Sequence, residues 1–305
     1  MFRTRLLSGI FLVIIALATI MAGNGILAVV LCLISLIAYG ELVKACGTHR
    51  VKEDFHEKQI TEGHTSFWAV YGGLQAPEYI GMFMTILYYI LLYWSLWYGR
   101  ENGEGLVPVY PVIMIAVVVT LIGMLFMYVF TFPRYHASQI MSAVFAYLYA
   151  PVMLSFIYLI REGFDQGKYL VWFVFLCSWG SDTCAYAVGV LIGKHKMTPK
   201  LSPKKSVEGA VGGVAGAALL FVLYTQFVIN AYSEAYLPLL LVAGLGAAGA
   251  LVSMVGDLAA SAIKRDHDIK DYGKLIPGHG GIMDRFDSVI IAAPLVFIGL
   301  MFYVG

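Results

Sequence analysis

The chain has 305 residues, of which 60% are hydrophobic and only 13% are charged, and its mean hydropathy is +0.80. This composition excludes an ordinary soluble globular protein and is typical of an integral membrane protein. The net charge of +1 conceals an uneven distribution of charge along the chain. The four cysteines show no CxxC spacing, so we expect reduced, packed thiols.

Apolar segments follow one another along the chain, each near the roughly 20 residues that a helix needs to cross about 30 Å of hydrocarbon. We expect them at residues 6–22, 25–45, 78–98, 109–131, 137–160, 169–192, 207–229, 236–260 and 286–304. They predict an all-α, polytopic integral membrane protein with about nine transmembrane helices. The first segment lacks a small-residue cleavage site, which favours an anchor over a removed signal peptide. We interpret residues 1–165 as an N-terminal transmembrane scaffold and residues 166–305 as a catalytic transmembrane region with cytoplasmic loops.

The basic residues predict how the spans are oriented, because cytoplasmic loops carry an excess of lysine and arginine. If the N-terminus is cytoplasmic, only Arg100, Arg161 and Lys168 of the 20 basic residues fall on the opposite side. The charged C-terminal loops are therefore expected to face the cytoplasm. A bacterial inner membrane is the setting that the compact chain favours.

Polar groups are sparse in the first half of the chain. The irregular spacing of His49, His56 and His64 in the loop of residues 46–76 favours a solvated loop over a metal site or a substrate gate. Glu41, late in the second span, could face an interior polar pocket or pair with Lys44 at the membrane interface. The many aromatic residues of the third span are interpreted as interfacial anchors, not as a base-stacking platform, and no nucleic-acid partner is expected.

The sixth span and the loop after it introduce charges into the membrane region. Asp182 lies among hydroxyl residues inside the span, where a carboxylate is costly unless it meets a ligand, a cation or a neighbouring helix. The following loop places polar residues before a glycine-rich helix start: Ser202, Lys204, Lys205, Ser206 and Glu208. Lysines and a helix N-terminus could hold a triphosphate, although charge alone would equally suit the basic flank of a cytoplasmic loop. The glycines of the seventh and eighth spans are interpreted as helix-packing positions.

The densest mixture of charges lies between Asp257 and Asp287. Asp257, Ser261 and Lys264 have the spacing of one helix face, and Asp284 and Asp287 also share a face. Magnesium prefers one or two carboxylates together with water and phosphate oxygens. Asp257 and Asp284 are the natural pair of ligands if their helices meet, and Asp287 would assist them.

A glycine-rich turn at residues 277–281 separates the two acidic segments. Its glycines allow a tight turn and a close approach of the backbone to phosphate. His279, within the turn, could donate to a phosphate, protonate a leaving group or be merely structural.

Three stretches of the C-terminal half together resemble a known family. The pattern Ser261-Ala-Ile-Lys264-Arg265, Lys270-Asp271-Tyr-Gly273, Pro277-Gly-His-Gly-Gly-Ile-Met-Asp284-Arg285-Phe-Asp287 resembles the signature of the phosphatidate cytidylyltransferases, or CDP-diacylglycerol synthases. Residues 182–189 and 202–209 are similar to upstream motifs of the same family, with Ser206 where threonine is commoner. The resemblance covers roughly residues 175–290.

The resemblance implies transfer of a cytidylyl group from CTP to phosphatidic acid, which gives CDP-diacylglycerol and pyrophosphate and requires Mg²⁺. It places the metal-binding aspartates at Asp257 and Asp284. The predicted catalytic residues are Asp257, Asp284, Lys264, Arg265 and His279, and the predicted metal ligands are Asp257, Asp284 and Asp287. The predicted substrate-binding residues are Asp182, Ser202, Lys204, Lys205, Ser206, Glu208, Ser261, Lys270, Asp271, Gly280, Gly281 and Arg285.

Two other functions remain open at this point. A CTP-dependent lipid kinase would use similar residues but would attack the γ-phosphate of CTP and would need a base for a neutral alcohol. A transporter could use intramembrane carboxylates and glycine-rich helices, but it would not need the dense cationic cluster. The expected partners are CTP, phosphatidic acid and the lipid bilayer, and the glycine-rich spans are compatible with a homodimer.

Overall fold

A computed structural model describes residues 13–46, 74–232, 237–276 and 280–302 of the chain. The helices in these ranges are α1 (Val13–Ala22), α2 (Asn24–Ala45), α3 (Ala76–Glu101), α4 (Val109–Phe130), α5 (Ala137–Gly163), α6 (Gly167–Ile192), α7 (Val207–Tyr232), α8 (Leu239–Asp266) and α9 (Met283–Met301). Between α6 and α7 lies an antiparallel hairpin of β1 (Lys196–Thr198) and β2 (Ser202–Ser206). His49, His56, His64 and His279 lie outside the described residues.

Helices α2 to α8 make up the 7 helices of the described ranges that are long and apolar enough to cross a membrane. Helix α9 has 19 residues and is not among these seven, because it carries three charged residues near its start, Asp284, Arg285 and Asp287. The prediction of an all-α polytopic membrane protein is confirmed. Continuous apolar sequence favours helices here, because a helix satisfies all backbone hydrogen bonds within one segment.

The first of two compact units comprises Met1–Ser155 and His267–Arg285. Its centre is aromatic, with Tyr39, Tyr88 and Tyr147 buried where α2, α3 and α5 pack together. The Tyr88 hydroxyl is 2.7 Å from Ser155 Oγ, so α3 is joined to α5 by a buried hydrogen bond. Such bonds hold helices together in an apolar environment where hydrophobic contacts alone give little preference between helix and lipid.

The second unit comprises Phe156–Asp266 and Phe286–Gly305. Helix α7 packs closely on both α6 and α8. A side chain at Gly212 would meet Val188 of α6 at 2.5 Å, and one at Gly246 of α8 would meet Phe221 of α7 at 2.8 Å. The interpretation of these glycines as packing positions is confirmed, whereas Gly244 has nothing within 4 Å and serves no such contact.

Helices α5, α6 and α7 each contain a five-residue π-helical segment, at Leu148–Val152, Leu176–Gly180 and Thr225–Ile229. The first contains Pro151, which cannot donate a backbone hydrogen bond inside a helix. The second ends immediately before Ser181 and Asp182. Single π-turns of this kind are frequent beside functional sites because they rotate the residues that follow.

Candidate active site

In the second unit, three carboxylates from three different helices interact with one another. Asp182 of α6, Asp257 of α8 and Asp287 of α9 form this group, which we call the acid cluster. Asp287 interacts electrostatically with both Asp257 and Asp182, and Asp182 interacts with Asp257. Ionised carboxylates gathered in an apolar membrane protein repel one another, and a nearby cation relieves this repulsion.

Two lysines supply positive charge to the acid cluster. Lys205 of β2 forms an ion pair with Asp257 and also acts electrostatically on Asp182. Lys264, about two turns after Asp257 on α8, acts electrostatically on Asp287. The described part of the cluster therefore has three acidic and two basic side chains, which gives a formal excess of negative charge.

The close approach of α8 and α9 brings Asp257 and Asp287 together. A side chain at Gly256 would lie 2.8 Å from the backbone oxygen of Asp287 and 3.1 Å from Ile291, so only glycine allows this spacing. On the other side of α9, Ser288 Oγ is 2.7 Å from Ser178 Oγ of α6. Helix α9 is thus fixed against both of its neighbours within one residue of Asp287, which is itself buried.

The hairpin that carries Lys205 is attached to the start of α7 by two side chains. Ser206 Oγ accepts the backbone N–H of Gly209 at 3.1 Å and so caps the helix N-terminus. The Glu208 carboxylate accepts the backbone N–H groups of Lys194 at 3.1 Å and His195 at 3.2 Å. It also lies 2.6 Å from Nδ1 of His195. Ser206 and Glu208, both predicted to bind substrate, here hold the hairpin in place.

Adjacent residues of β2 have different surroundings because side chains alternate along a strand. Lys205 is half-buried and paired with Asp257, whereas Lys204 is exposed. Ser202, at the start of the strand, is half-buried and pairs in register with Thr198. Only Lys205 of the two predicted lysines therefore reaches the acid cluster.

In the first unit, the described residues 270–276 and 280–282, here called the signature loop, precede the start of α9. Asp284 Oδ2 accepts the backbone N–H groups of Tyr272 at 2.8 Å and Gly281 at 3.0 Å. The N–H of Ile276 donates to the carbonyl oxygen of Gly280 at 2.9 Å, and Gly280 has a φ of 86°, which favours glycine. Asp284 thus closes the loop on itself.

Glu41 of α2 holds the same loop from a distant part of the sequence. Its Oε1 accepts the N–H of Ile282 at 3.2 Å, and its Oε2 accepts the N–H of Met283 at 2.8 Å. Glu41 is only 1% exposed. Of the two interpretations of Glu41, the structure therefore favours the interior one, because the carboxylate bonds to backbone amides and not to Lys44. The sequence signal was a carboxylate inside an apolar span, but its partners lie more than 240 residues away.

The remaining predicted residues are mostly at the surface of the described structure. Ser261 is half-buried on α8. The exposed ones are Arg265, Lys270, Asp271 and Arg285. Asp257 and Asp284 belong to different compact units, and the prediction that they share a metal ion stays a prediction.

The donor set of the acid cluster fits magnesium better than a metal that needs a complete protein cage. Among the described residues no group of three or more histidine, cysteine, aspartate or glutamate side chains is placed to hold a metal ion. Magnesium is commonly held by one or two carboxylates, several waters and substrate phosphates. Asp257 and Asp287 would supply such a pair, with the remaining positions left to water and phosphate.

The helical spans and the acid cluster define an integral membrane protein with a charged site built into its transmembrane region. The cytidylyltransferase family model matches residues 3–303, and the chain belongs to that family.

Several named relatives match the chain in part. A phosphatidate cytidylyltransferase of Staphylococcus epidermidis is 40% identical over 152 residues, covering 50% of this chain and 56% of the relative. One from Synechocystis is 42% identical over 139 residues, covering 45% and 44%. One from Thermotoga maritima is 33% identical over 165 residues, covering 53% and 60%. The matched stretch thus spans about half the length of these relatives.

Proposed function

We propose that the protein transfers a cytidylyl group from CTP to phosphatidic acid, forming CDP-diacylglycerol and pyrophosphate for phospholipid synthesis. The observation that carries the proposal is that Lys205 and Lys264 interact with the acid cluster. The chain that contains this cluster belongs to the cytidylyltransferase family. The relatives are named phosphatidate cytidylyltransferases, which agrees with this substrate.

Cytidylyl transfer can be catalysed by a site that contains charged side chains but no general base. An oxygen of the lipid phosphate attacks the α-phosphorus of CTP, and the bond from that phosphorus to the bridging oxygen of the β-phosphate breaks. The nucleophile is already anionic, so no strong base is needed. The main barrier is bringing two anions together, which positioning and charge neutralisation reduce. Lys205 and Lys264 are suited to hold phosphate oxygens next to the carboxylates, and the exposed Lys204 and Arg265 to attract them.

We further propose that Asp257 and Asp287 hold Mg²⁺, with Asp284 as a predicted additional ligand. The bound ion would neutralise charge on the CTP phosphates. Lys205 would then be shared between Asp257 and a phosphate. Support comes from the fit of two carboxylates to a metal that takes its other ligands from water and phosphate.

One assay tests the reaction against its alternatives. Purified full-length protein is incubated with Mg²⁺, CTP labelled at the α-phosphate, and either phosphatidic acid or diacylglycerol as the lipid. Label in the lipid together with pyrophosphate release supports the proposal, whereas label in CDP would indicate a lipid kinase. No turnover with either lipid phosphate or lipid alcohol would favour a transporter. Removal of Mg²⁺ with a chelator is expected to stop turnover, and its return to restore it.

We place the reaction at the cytoplasmic face of a bacterial inner membrane. The support is the distribution of lysine and arginine along the sequence and the bacterial origin of the matched relatives. CTP is soluble and phosphatidic acid lies in the bilayer, so a site that receives both belongs at the membrane surface.

A further inference from the structure

A buried carboxylate in the first half of the chain has no role in the proposed chemistry. Glu41 is 1% exposed, and no salt bridge pairs it with a basic side chain among the residues that the structure describes. Burying an unpaired carboxylate is costly unless it receives several hydrogen bonds. Its two oxygens receive theirs from Ile282 and Met283 at the end of the signature loop.

The loop is shaped around this carboxylate. A side chain at Gly273 or at Gly281 would overlap the carboxylate of Glu41, so the loop approaches it with bare backbone from two directions. Asp284 accepts two further N–H groups of the same segment, from Tyr272 and Gly281. Two carboxylates thus accept the backbone N–H groups of four residues, which are Tyr272, Gly281, Ile282 and Met283.

We propose that Glu41 is a positioning residue of the enzyme, which acts by holding the signature loop in its working conformation. The proposal rests on the proposed function, because the loop or its flanks carry Lys270, Asp271 and Arg285, which are predicted to meet substrate. Glu41 itself touches the loop backbone and is not expected to contact CTP or lipid phosphate. A carboxylate in one transmembrane helix thereby controls the geometry of a motif more than 200 residues later in the chain.

The test compares Glu41→Gln with Glu78→Gln in the full-length protein. The glutamine of E41Q presents an N–H₂ group to a backbone N–H donor, so one of the two loop contacts is lost. Glu78 is a matched control in the same unit: it is fully buried, and its Oε2 accepts the N–H of Gln75 at 2.6 Å to cap α3.

Two readouts are taken on detergent-purified protein. In hydrogen–deuterium exchange, E41Q is expected to exchange faster in residues 272–283, while E78Q changes only the start of α3. In the cytidylyl-transfer assay, E41Q is expected to lose about 10- to 100-fold in kcat/KM, with a raised KM for CTP or phosphatidic acid. A smaller folded fraction would lower the apparent kcat alone. If E41Q cannot be recovered, Glu41→Asp is measured in the same way.

Three results would overturn the proposal. They are unchanged exchange in residues 272–283 of E41Q, the same loop exchange in E78Q as in E41Q, and a loss of activity that only follows the folded fraction. Wild-type protein without cytidylyl transfer would contradict the proposed function alone, because the exchange comparison does not depend on turnover.

Discussion

Lys204 and Lys205 are adjacent on β2 but have different environments. We therefore expect Lys205 to act in the candidate site and Lys204 to act only at the protein surface. Lys205 pairs with Asp257, whereas Lys204 is exposed. We expect Lys205→Ala to lower turnover about 100-fold, because a half-buried cation next to developing charge stabilises it more than a cation in water does. Lys204→Ala should cost less than about tenfold, as expected for a solvated charge. Steady-state kinetics on both variants check this, and equal losses would contradict it.

Asp257 and Asp284 can be compared through their asparagine variants. Asp257→Asn is expected to lower turnover about 1000-fold, because it removes a carboxylate from the proposed metal site while conserving shape. Asp284→Asn keeps an oxygen that can accept the N–H groups of Tyr272 and Gly281, so the loop contact survives. A comparable loss in D284N would support its role as metal ligand. Near-normal activity in D284N would assign Asp284 to the loop instead, and near-normal activity in D257N would refute the metal assignment.

The local charge pattern predicted some site residues better than others. Asp257 and Lys264 were placed on one helix face from their spacing, and the structure puts both beside Asp287. The contacts of Glu41 could not be predicted, because helical periodicity says which residues share a face but not which distant backbone that face will meet. The ion pair between Lys205 and Asp257 was missed for the same reason.

Helices were predicted well because the bilayer fixes their length. The expected segments 109–131 and 169–192 correspond to α4 (Val109–Phe130) and α6 (Gly167–Ile192) within two residues at each end. The hairpin of β1 and β2 was not predicted, since its sequence is polar and contains proline and lacks the alternation typical of strands. The π-helical segments were not predicted either, because hydropathy does not distinguish them from α-helix.

The hairpin as an element depends on Glu208, which joins it to α7. We expect Glu208→Ala to speed hydrogen exchange at Lys194 and His195, whose N–H groups lose their acceptor. Turnover should fall as well, because the hairpin carries Lys205. If Glu208 bound substrate directly, activity would fall without a change in exchange at these two residues.

The packing of α6 against α7 can be tested with two glycine variants. Gly212→Ala would place a methyl group against Val188, and overpacking of this kind costs about 1–3 kcal/mol. Gly244→Ala on α8 is the matched control, because nothing lies within 4 Å of its added methyl group. The melting temperature measured in detergent should fall for G212A, and it should stay the same or rise slightly for G244A. Equal melting temperatures would contradict the close packing.

At the scale of the whole molecule, the distribution of basic residues makes a prediction about sidedness. In a variant without its four native cysteines, a cysteine at Lys204 should react with a membrane-impermeant reagent only after cells are opened. A cysteine at Glu101, at the end of α3, should react in intact cells. Both positions are exposed, so differences in labelling report the side of the membrane. The reverse pattern would invert the orientation proposed for the site.

The bond between Glu41 and Met283 links positions 242 residues apart, and this has a consequence for biosynthesis. At about 5–20 residues per second, a ribosome needs roughly 10–50 seconds to make the intervening chain. During that interval α2 has already been synthesised, but the amides that will receive its carboxylate do not yet exist. We therefore expect the newly synthesised α2 to keep the Glu41 carboxylate near the lipid headgroups. This is possible because Glu41 lies in the last turn and a half of the helix, which ends at Ala45. Completion of the signature loop would then supply the backbone N–H groups that this carboxylate binds.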